Sequence, residues 1–265
     1  MNTNSRITSV LKAAHLDNAI TGLPTFFLSD LNLETDLQFE LPTNLRLGHM
    51  VEKIVSECIK SSSNYKVLFE NIQIQKDKDT IGELDFIIEE LKSKQVIHLE
   101  LAYKFYLYDP TLSENSFHNW IGPNRRDSLQ EKLDKLKHKQ FPLLYNQHTK
   151  ENLSTLDIDN VSQVLCLLAS LYIPYTYKET YSPNFQKAIK GYYVNFETFI
   201  NFDHTDKMYH LPTKKEWGID PVENKIWTHF EETQIEIERQ LQKKHAPLCW
   251  LKHIDSYECF FVVWW

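Results

Sequence analysis

The feature that most constrains the fold is a run of three strand-like segments with very little sequence between them. They read YKVLFENIQIQ at 65–75, GELDFIIEE at 82–90 and QVIHLELAYKFYLY at 95–108. Their alternating apolar residues, many of them β-branched or aromatic, predict β-strands. The breaks KDKDT and LKSK are too short for a helical crossover. We therefore expect neighbouring antiparallel strands joined by hairpins, which is a meander.

Helical patterns lie on both sides of this meander. Apolar residues recur at helical spacing between 45 and 60, where SSSN ends the run, and a second apolar stripe lies within 125–140. The segment VSQVLCLLASLYI at 161–173 is almost wholly apolar and predicts a central strand, with a buried helix as the alternative. This order of helix, three strands, helix and strand predicts an α/β fold whose mixed sheet is flanked by helices.

The rest of the chain is predicted to extend this core. We expect an N-terminal arm over 1–44, the α/β core over 45–175 and a C-terminal α+β extension packed on the core over 176–265. In the extension, 224–244 has a helical pattern and SYECFFVVWW at 256–265 predicts a strand.

Composition and the cysteine pattern disfavour nucleic-acid-coating, membrane, secreted and zinc-ribbon proteins. The net charge of −7 disfavours non-specific coating of nucleic acid, although a local basic groove remains compatible with it. No stretch approaches the roughly 20 apolar residues that cross a bilayer, and the first residues do not resemble a secretory signal. We therefore expect a cytoplasmic protein without a membrane partner. The four cysteines form no C-x-x-C pair, which disfavours a zinc ribbon.

Two acidic residues interrupt the apolar pattern of the meander. Side chains alternate across a strand, so residues two apart share a face. Asp85 therefore points to one defined face of the second strand. In the third strand, Glu100 and Lys104 point to the same face as each other. If Asp85 and Glu100 point the same way from adjacent strands, their charges repel unless one is protonated or a divalent cation lies between them. Such oxygen ligands suit Mg²⁺ or Mn²⁺. A lysine on the same face can orient a water molecule or stabilise charge at phosphorus.

The order of elements, with GELDF followed by HLELAYK, resembles the PD-(D/E)XK nuclease superfamily. The segment WIGPNRRDSLQEKLDKL at 120–136 is similar to a bacterial group within it, domain of unknown function family 1853. The resemblance is best over 45–145. It implies a restriction-endonuclease-like core in which Asp85 and Glu100 hold the metal ion, Lys104 serves the attacking water and Glu52 of the first helix assists.

One position departs from the superfamily pattern. The lysine expected two residues after the glutamate is Ala102 here, and Lys104 lies two residues further along the same strand face. Three of the four site residues also have a structural interpretation. Asp85 would be a solvated hairpin carboxylate, Lys104 an ion-pair partner of Glu100, and Glu52 a solvated helix residue.

A basic segment follows the meander. Asn124 is predicted to cap the next helix, with Arg125 and Arg126 in its first turn beside free backbone donors that suit a phosphate. Lys132 and Lys135 continue the basic strip, which makes these four residues candidates for nucleic-acid binding. The alternative is a capped, solvated helix with charge pairs along it.

The leading hypothesis is a nuclease that cleaves DNA or RNA with Mg²⁺ or Mn²⁺. The second hypothesis keeps the fold without catalysis, as a module that binds nucleic acid or protein. A third, an enzyme acting on small molecules, is less favoured because the sequence contains neither a nucleotide-binding loop nor a nucleophile elbow.

Overall fold

The computed structural model describes residues 2–33, 37, 39–177 and 183–265 of the 265-residue chain. Its strands are β1 Ala14–His15, β2 Tyr65–Lys76, β3 Asp79–Glu90, β4 Val96–Tyr108, β5 Trp120–Ile121, β6 Ser162–Pro174, β7 Ile189–Asn195, β8 Met208–His210, β9 Leu248–Lys252 and β10 Tyr257–Val263. Its α-helices are α1 Thr3–Leu11, α2 Asn18–Thr21, α3 Leu47–Lys60, α4 Leu129–Lys135, α5 Phe141–Leu143, α6 Gln147–Asn152, α7 Pro183–Gln186, α8 Phe196–Ile200 and α9 Phe230–Gln242.

Shorter helical turns connect these elements. The 3₁₀ turns are Leu28–Leu31, Ser116–Asn119, Ile158–Asn160, Lys214–Glu216 and Pro221–Glu223, and a π-helical turn covers Leu136–Gln140. Among the described residues, no helix is long and apolar enough to cross a membrane.

Contacts within the chain define two compact units. One contains residues 15–103 and 131–168, and the other contains 1–14, 104–130 and 169–265. Both β4 and β6 continue from one unit into the other. The three-part division into 1–44, 45–175 and 176–265 remains a prediction from the sequence.

The unit of residues 15–103 and 131–168 contains the predicted meander. Strand β3 pairs antiparallel with both β2 and β4, and the strand order continues to β6. Helix α3 packs against β2, and its whole predicted apolar stripe is buried, namely Leu47, Val51, Ile54, Val55, Cys58 and Ile59. The predicted helix, meander and α/β class are therefore confirmed. The apolar segment at 161–173 is a strand, β6, and not a helix.

The unit of residues 1–14, 104–130 and 169–265 contains both parallel and antiparallel strand pairs, which makes the sheet mixed. Strand β7 is parallel to both β6 and β10, whereas β9 pairs antiparallel with β10 and β8. The predicted C-terminal strand is confirmed as β10. The predicted helix at 224–244 begins only at Phe230, because Thr228 is held extended by two main-chain hydrogen bonds of 2.8 Å to Tyr209.

Candidate functional site

The register of β3 and β4 places the two predicted carboxylates on one face. Ile87 lies opposite His98 and Phe86 opposite Leu99, and opposed residues of an antiparallel pair share a face. Asp85 and Glu100 are the next residues along the two strands. The Leu101 N–H donates to Asp85 Oδ2 at 2.8 Å, so the carboxylate of one strand reaches the backbone of the other. Asp85 and Glu100 are therefore neighbours across the β3–β4 pair.

Glu100 is fully buried and hydrogen-bonded at both carboxylate oxygens. His98 Nε2 lies 2.9 Å from Oε1, and the Gln140 side-chain amide donates to Oε2. Lys132 Nζ in turn donates to Gln140 Oε1 at 2.9 Å, so Gln140 connects a lysine to Glu100. A buried carboxylate needs such donors to offset the loss of hydration.

Burial and, after it, the charge of Glu100 together raise the pKa of the Asp85 carboxyl to about 7. Burial likewise raises the pKa of Glu100 to about 7, although Lys132, a hydrogen bond from the Asp85 backbone and Lys135 oppose that shift. Near neutral pH the two groups therefore resist being ionised together. A divalent cation between them would stabilise both charges.

His98 is the buried neighbour of Glu100 on the same strand. Burial lowers the pKa of its imidazole to about 4, so the ring is neutral at pH 7. Its Nδ1 atom lies 2.9 Å from the amide nitrogen of Gln163 on β6. The ring of Phe141 meets the imidazole edge-on, with centroids 5.7 Å apart. Apolar packing and two polar contacts thus hold this ring.

Glu52 lies on α3, where the sequence placed it. Its carboxylate accepts a hydrogen bond from His49 Nδ1 at 2.9 Å, and 29% of its side chain is exposed. Its charge raises the pKa of Asp85, a smaller effect than those of burial and Glu100. Glu52 therefore adds negative charge near Asp85.

Lys104 forms an ion pair within the unit that contains residues 104–130. Its Nζ donates to Asp127 Oδ2 at 2.8 Å, and the two side chains are 31% and 47% exposed. Its partner in the structure is thus Asp127, whereas Glu100 is bonded to His98 and Gln140. The role of Lys104 in serving a water molecule stays a prediction.

The expected placement of Arg125 and Arg126 in the first turn of a helix is wrong. Helix α4 begins at Leu129, and Arg125 has a left-handed backbone with φ 54°. Asn124 does not cap this helix, because its side-chain oxygen accepts the Ala246 N–H at 2.8 Å. The Arg125 guanidinium donates to the buried Asp109 at 2.9 Å and lies 4.6 Å from the ring centre of Trp265. Tertiary contacts with 246 and 265 hold this loop outside the helix.

The two predicted lysines of the basic strip lie on α4. Lys132 is half-buried and bonded to Gln140, and Lys135 is exposed. Both lower the pKa of Glu100, so their positive charge acts at the carboxylate pair. Arg126 is exposed in the loop before α4.

Two carboxylates are a kind of donor that Mg²⁺ and Mn²⁺ accept, with water in the remaining coordination positions. Among the described residues, no group of three or more His, Cys, Asp or Glu side chains is placed to hold a metal. Asp85 and Glu100 supply two carboxylates, and Mg²⁺ is commonly bound by one or two carboxylates together with several waters. An ionised carboxylate offers about four acceptor positions, so the hydrogen bonds of Glu100 leave capacity for a ligand.

The sequence analysis missed three residues around Glu100. Two of them contact its carboxylate, and the third contacts one of those two. They are His98, Gln140 and Gln163. His98 had a local signal, since it shares the strand face of Glu100 within an apolar segment. The two glutamines had none, because they come from a π-helical turn and from β6, far along the chain.

Fold and site together define an α/β protein with a pair of carboxylates between two antiparallel strands of a mixed sheet. The chain belongs to the family described as domain of unknown function (DUF1853), whose sequence profile matches residues 10–258. Neither a curated protein nor a solved structure matches the chain.

Replacing Asp85 with Asn is expected to stabilise the metal-free protein at pH 8. The folded pKa of Asp85 lies near 7, above the ordinary 3.8, so its contribution to stability is full below pH 4 and is lost as pH rises to 7. Asn does not titrate, and its oxygen can still accept the Leu101 N–H. Urea unfolding should show a gain of about 2 kcal/mol at pH 8 that vanishes near pH 4.

The matched control is Asp79→Asn, which removes an exposed carboxylate from the same strand. It should change stability by less than about 0.5 kcal/mol at either pH. Equal stability of Asp85→Asn and the wild type at pH 8 would show that Asp85 carries no penalty for ionisation.

Proposed function

We propose that this protein is a metal-dependent nuclease that hydrolyses phosphodiester bonds of DNA or RNA with Mg²⁺ or Mn²⁺. The observation that carries the proposal is that Asp85 and Glu100 follow the Phe86–Leu99 pair of β3 and β4, with Asp85 accepting the Leu101 N–H and each carboxyl having a raised pKa. Placing a half-buried Asp85 beside a fully buried Glu100 is costly for a purely structural purpose. Retaining both is understandable if they bind a cation.

The proposed roles follow from the chemistry of each side chain. Asp85 and Glu100 bind the cation, and Glu52 adds negative charge beside Asp85. When bound, the cation supplies Lewis-acid chemistry, which makes water a better nucleophile and withdraws charge from phosphate oxygens. Lys104 keeps its proposed role of attending the nucleophile, for which its amine would have to leave Asp127.

Nucleic acid is the proposed partner because basic side chains lie near the carboxylates of Asp85 and Glu100. Lys132 and Lys135 act electrostatically at Glu100, and they offer positive charge to a phosphate chain. Arg126 is exposed, and Arg125 would need to share its guanidinium between Asp109 and a phosphate. A cytoplasmic location accords with such a substrate and is part of the proposal.

A second candidate is a protein of the same fold that binds nucleic acid or protein without cleaving it. Specific observations favour it, namely the bonding of both Glu100 oxygens and the pairing of Lys104 with Asp127. Ala102 also stands where the superfamily pattern has its lysine.

Calorimetric titration with Mn²⁺ distinguishes the two candidates. The nuclease proposal predicts one site per chain that is lost in Asp85→Asn and kept in the control variant Asp79→Asn. Because protons compete for carboxylates with pKa values near 7, the affinity should rise between pH 6 and pH 8. Absence of binding at pH 8, or binding unchanged in Asp85→Asn, would favour the non-catalytic candidate.

A further inference from the structure

A glutamine on β6 contacts the buried imidazole beside Glu100. The Gln163 Nε2 atom lies 2.9 Å from His98 Nδ1 and donates to the main-chain oxygen of Phe141 at 2.8 Å. His98 and Glu100 are both completely buried, so water does not compete for their polar atoms. This chain of contacts therefore fixes which atoms carry hydrogen.

The carbonyl of Phe141 sets the orientation of the Gln163 amide. A carbonyl oxygen only accepts, so the NH₂ group of Gln163, and not its oxygen, must face Phe141. The second hydrogen of that NH₂ group then points to His98 Nδ1, which has to be the acceptor. In a neutral imidazole with an unprotonated Nδ1, the proton is on Nε2, and Nε2 lies 2.9 Å from Glu100 Oε1.

We propose that Gln163 is a positioning residue that acts on Glu100 through His98. It holds the imidazole in the Nε2–H tautomer, and the imidazole then keeps a donor on Oε1 and fixes the rotation of the Glu100 carboxylate. Gln140 donates to Oε2. The carboxylate is thereby held in one orientation, and the benefit to cation binding rests on the proposed function.

The structural alternative is that Gln163 only satisfies a buried carbonyl. Gln95 is a matched example, since its side chain donates to the main-chain oxygens of Val96 and Asn160 at 2.9 and 2.8 Å without contacting His98 or Glu100. Gln95→Leu therefore also removes side-chain hydrogen bonds to main-chain oxygens, here from an exposed glutamine, and leaves the imidazole untouched.

The test compares Gln163→Leu with Gln95→Leu in the full-length protein, using ¹⁵N spectra of the histidine rings and Mn²⁺ calorimetry. Wild-type His98 should show a protonated Nε2 and an unprotonated Nδ1. In Gln163→Leu this single tautomer should give way to a mixture, and Mn²⁺ affinity should fall about tenfold to a hundredfold. Gln95→Leu should change neither readout.

A third variant tests whether the donor itself matters. His98→Gln retains an N–H group that can reach Glu100, and it should bind Mn²⁺ better than His98→Leu. If Gln163→Leu binds Mn²⁺ as tightly as the wild type, the positioning role is overturned while the proposed function stands. If the wild type itself does not bind Mn²⁺, the proposed function and this inference both fall.

Discussion

Asp85→Asn and Glu100→Gln are each expected to reduce Mg²⁺-dependent cleavage of nucleic acid by at least about a hundredfold, the scale typical of removing a group that stabilises charge at a reaction centre. Both substitutions keep the shape of the side chain and remove one negative charge. The measurement is cleavage of labelled single- and double-stranded DNA and RNA with Mg²⁺ or Mn²⁺ at pH 8, where protons compete least with the cation.

Stability measurements separate this loss from unfolding. Because Asp85→Asn is expected to be more stable than the wild type at pH 8, a loss of cleavage in that variant cannot come from a destabilised fold. Asp79→Asn changes an exposed carboxylate on the same strand and should cleave like the wild type. Cleavage at the wild-type rate by folded Asp85→Asn or Glu100→Gln would contradict the assignment of both carboxylates.

Gly191→Ala is expected to destabilise the protein by about 3 kcal/mol or more, as overpacking against a rigid neighbour does. Gly191 lies in β7 beside β10, and a Cβ atom there would overlap the main-chain oxygen of Cys259 and lie 3.3 Å from the Tyr172 ring. A main-chain oxygen in a paired strand cannot move aside without breaking the ladder. Thermal or urea unfolding of the variant measures the loss.

Gly82→Ala is the matched control for this substitution. Its added Cβ would meet the end of the Leu143 side chain, which can change rotamer. We expect a loss below about 1 kcal/mol for Gly82→Ala. Similar stabilities of the two variants would show that the approach of β10 to Gly191 is not as close as the structure has it.

The meander followed from local pattern because it depends on short-range rules. Short breaks force antiparallel hairpins, and the period of two fixes which residues share a face. The helix α3 was equally predictable, since its apolar stripe is continuous. Local rules failed where a distant residue decides the backbone, as at Asn124, whose side chain accepts a hydrogen bond from Ala246.

The candidate site likewise contains residues that the sequence predicts and residues that only the fold brings together. Asp85 and Glu100 stand out because carboxylates are rare in apolar strands, a signal that the sequence itself contains. The partners of Glu100 could not be inferred, because Gln140 and Gln163 are ordinary polar residues until the fold brings them together. The pairing of Lys104 with Asp127 depends likewise on a loop contact that alternation along a strand does not encode.

The central claim is that Asp85 and Glu100 jointly bind one divalent cation. Anomalous diffraction from crystals soaked in Mn²⁺ at pH 8 tests it most directly, because it locates the ion without relying on activity. We predict a single strong peak in contact with a carboxylate oxygen of each residue, absent from Asp85→Asn crystals. A well-ordered carboxylate pair with no peak beside it, or a peak that persists in Asp85→Asn, would contradict the claim.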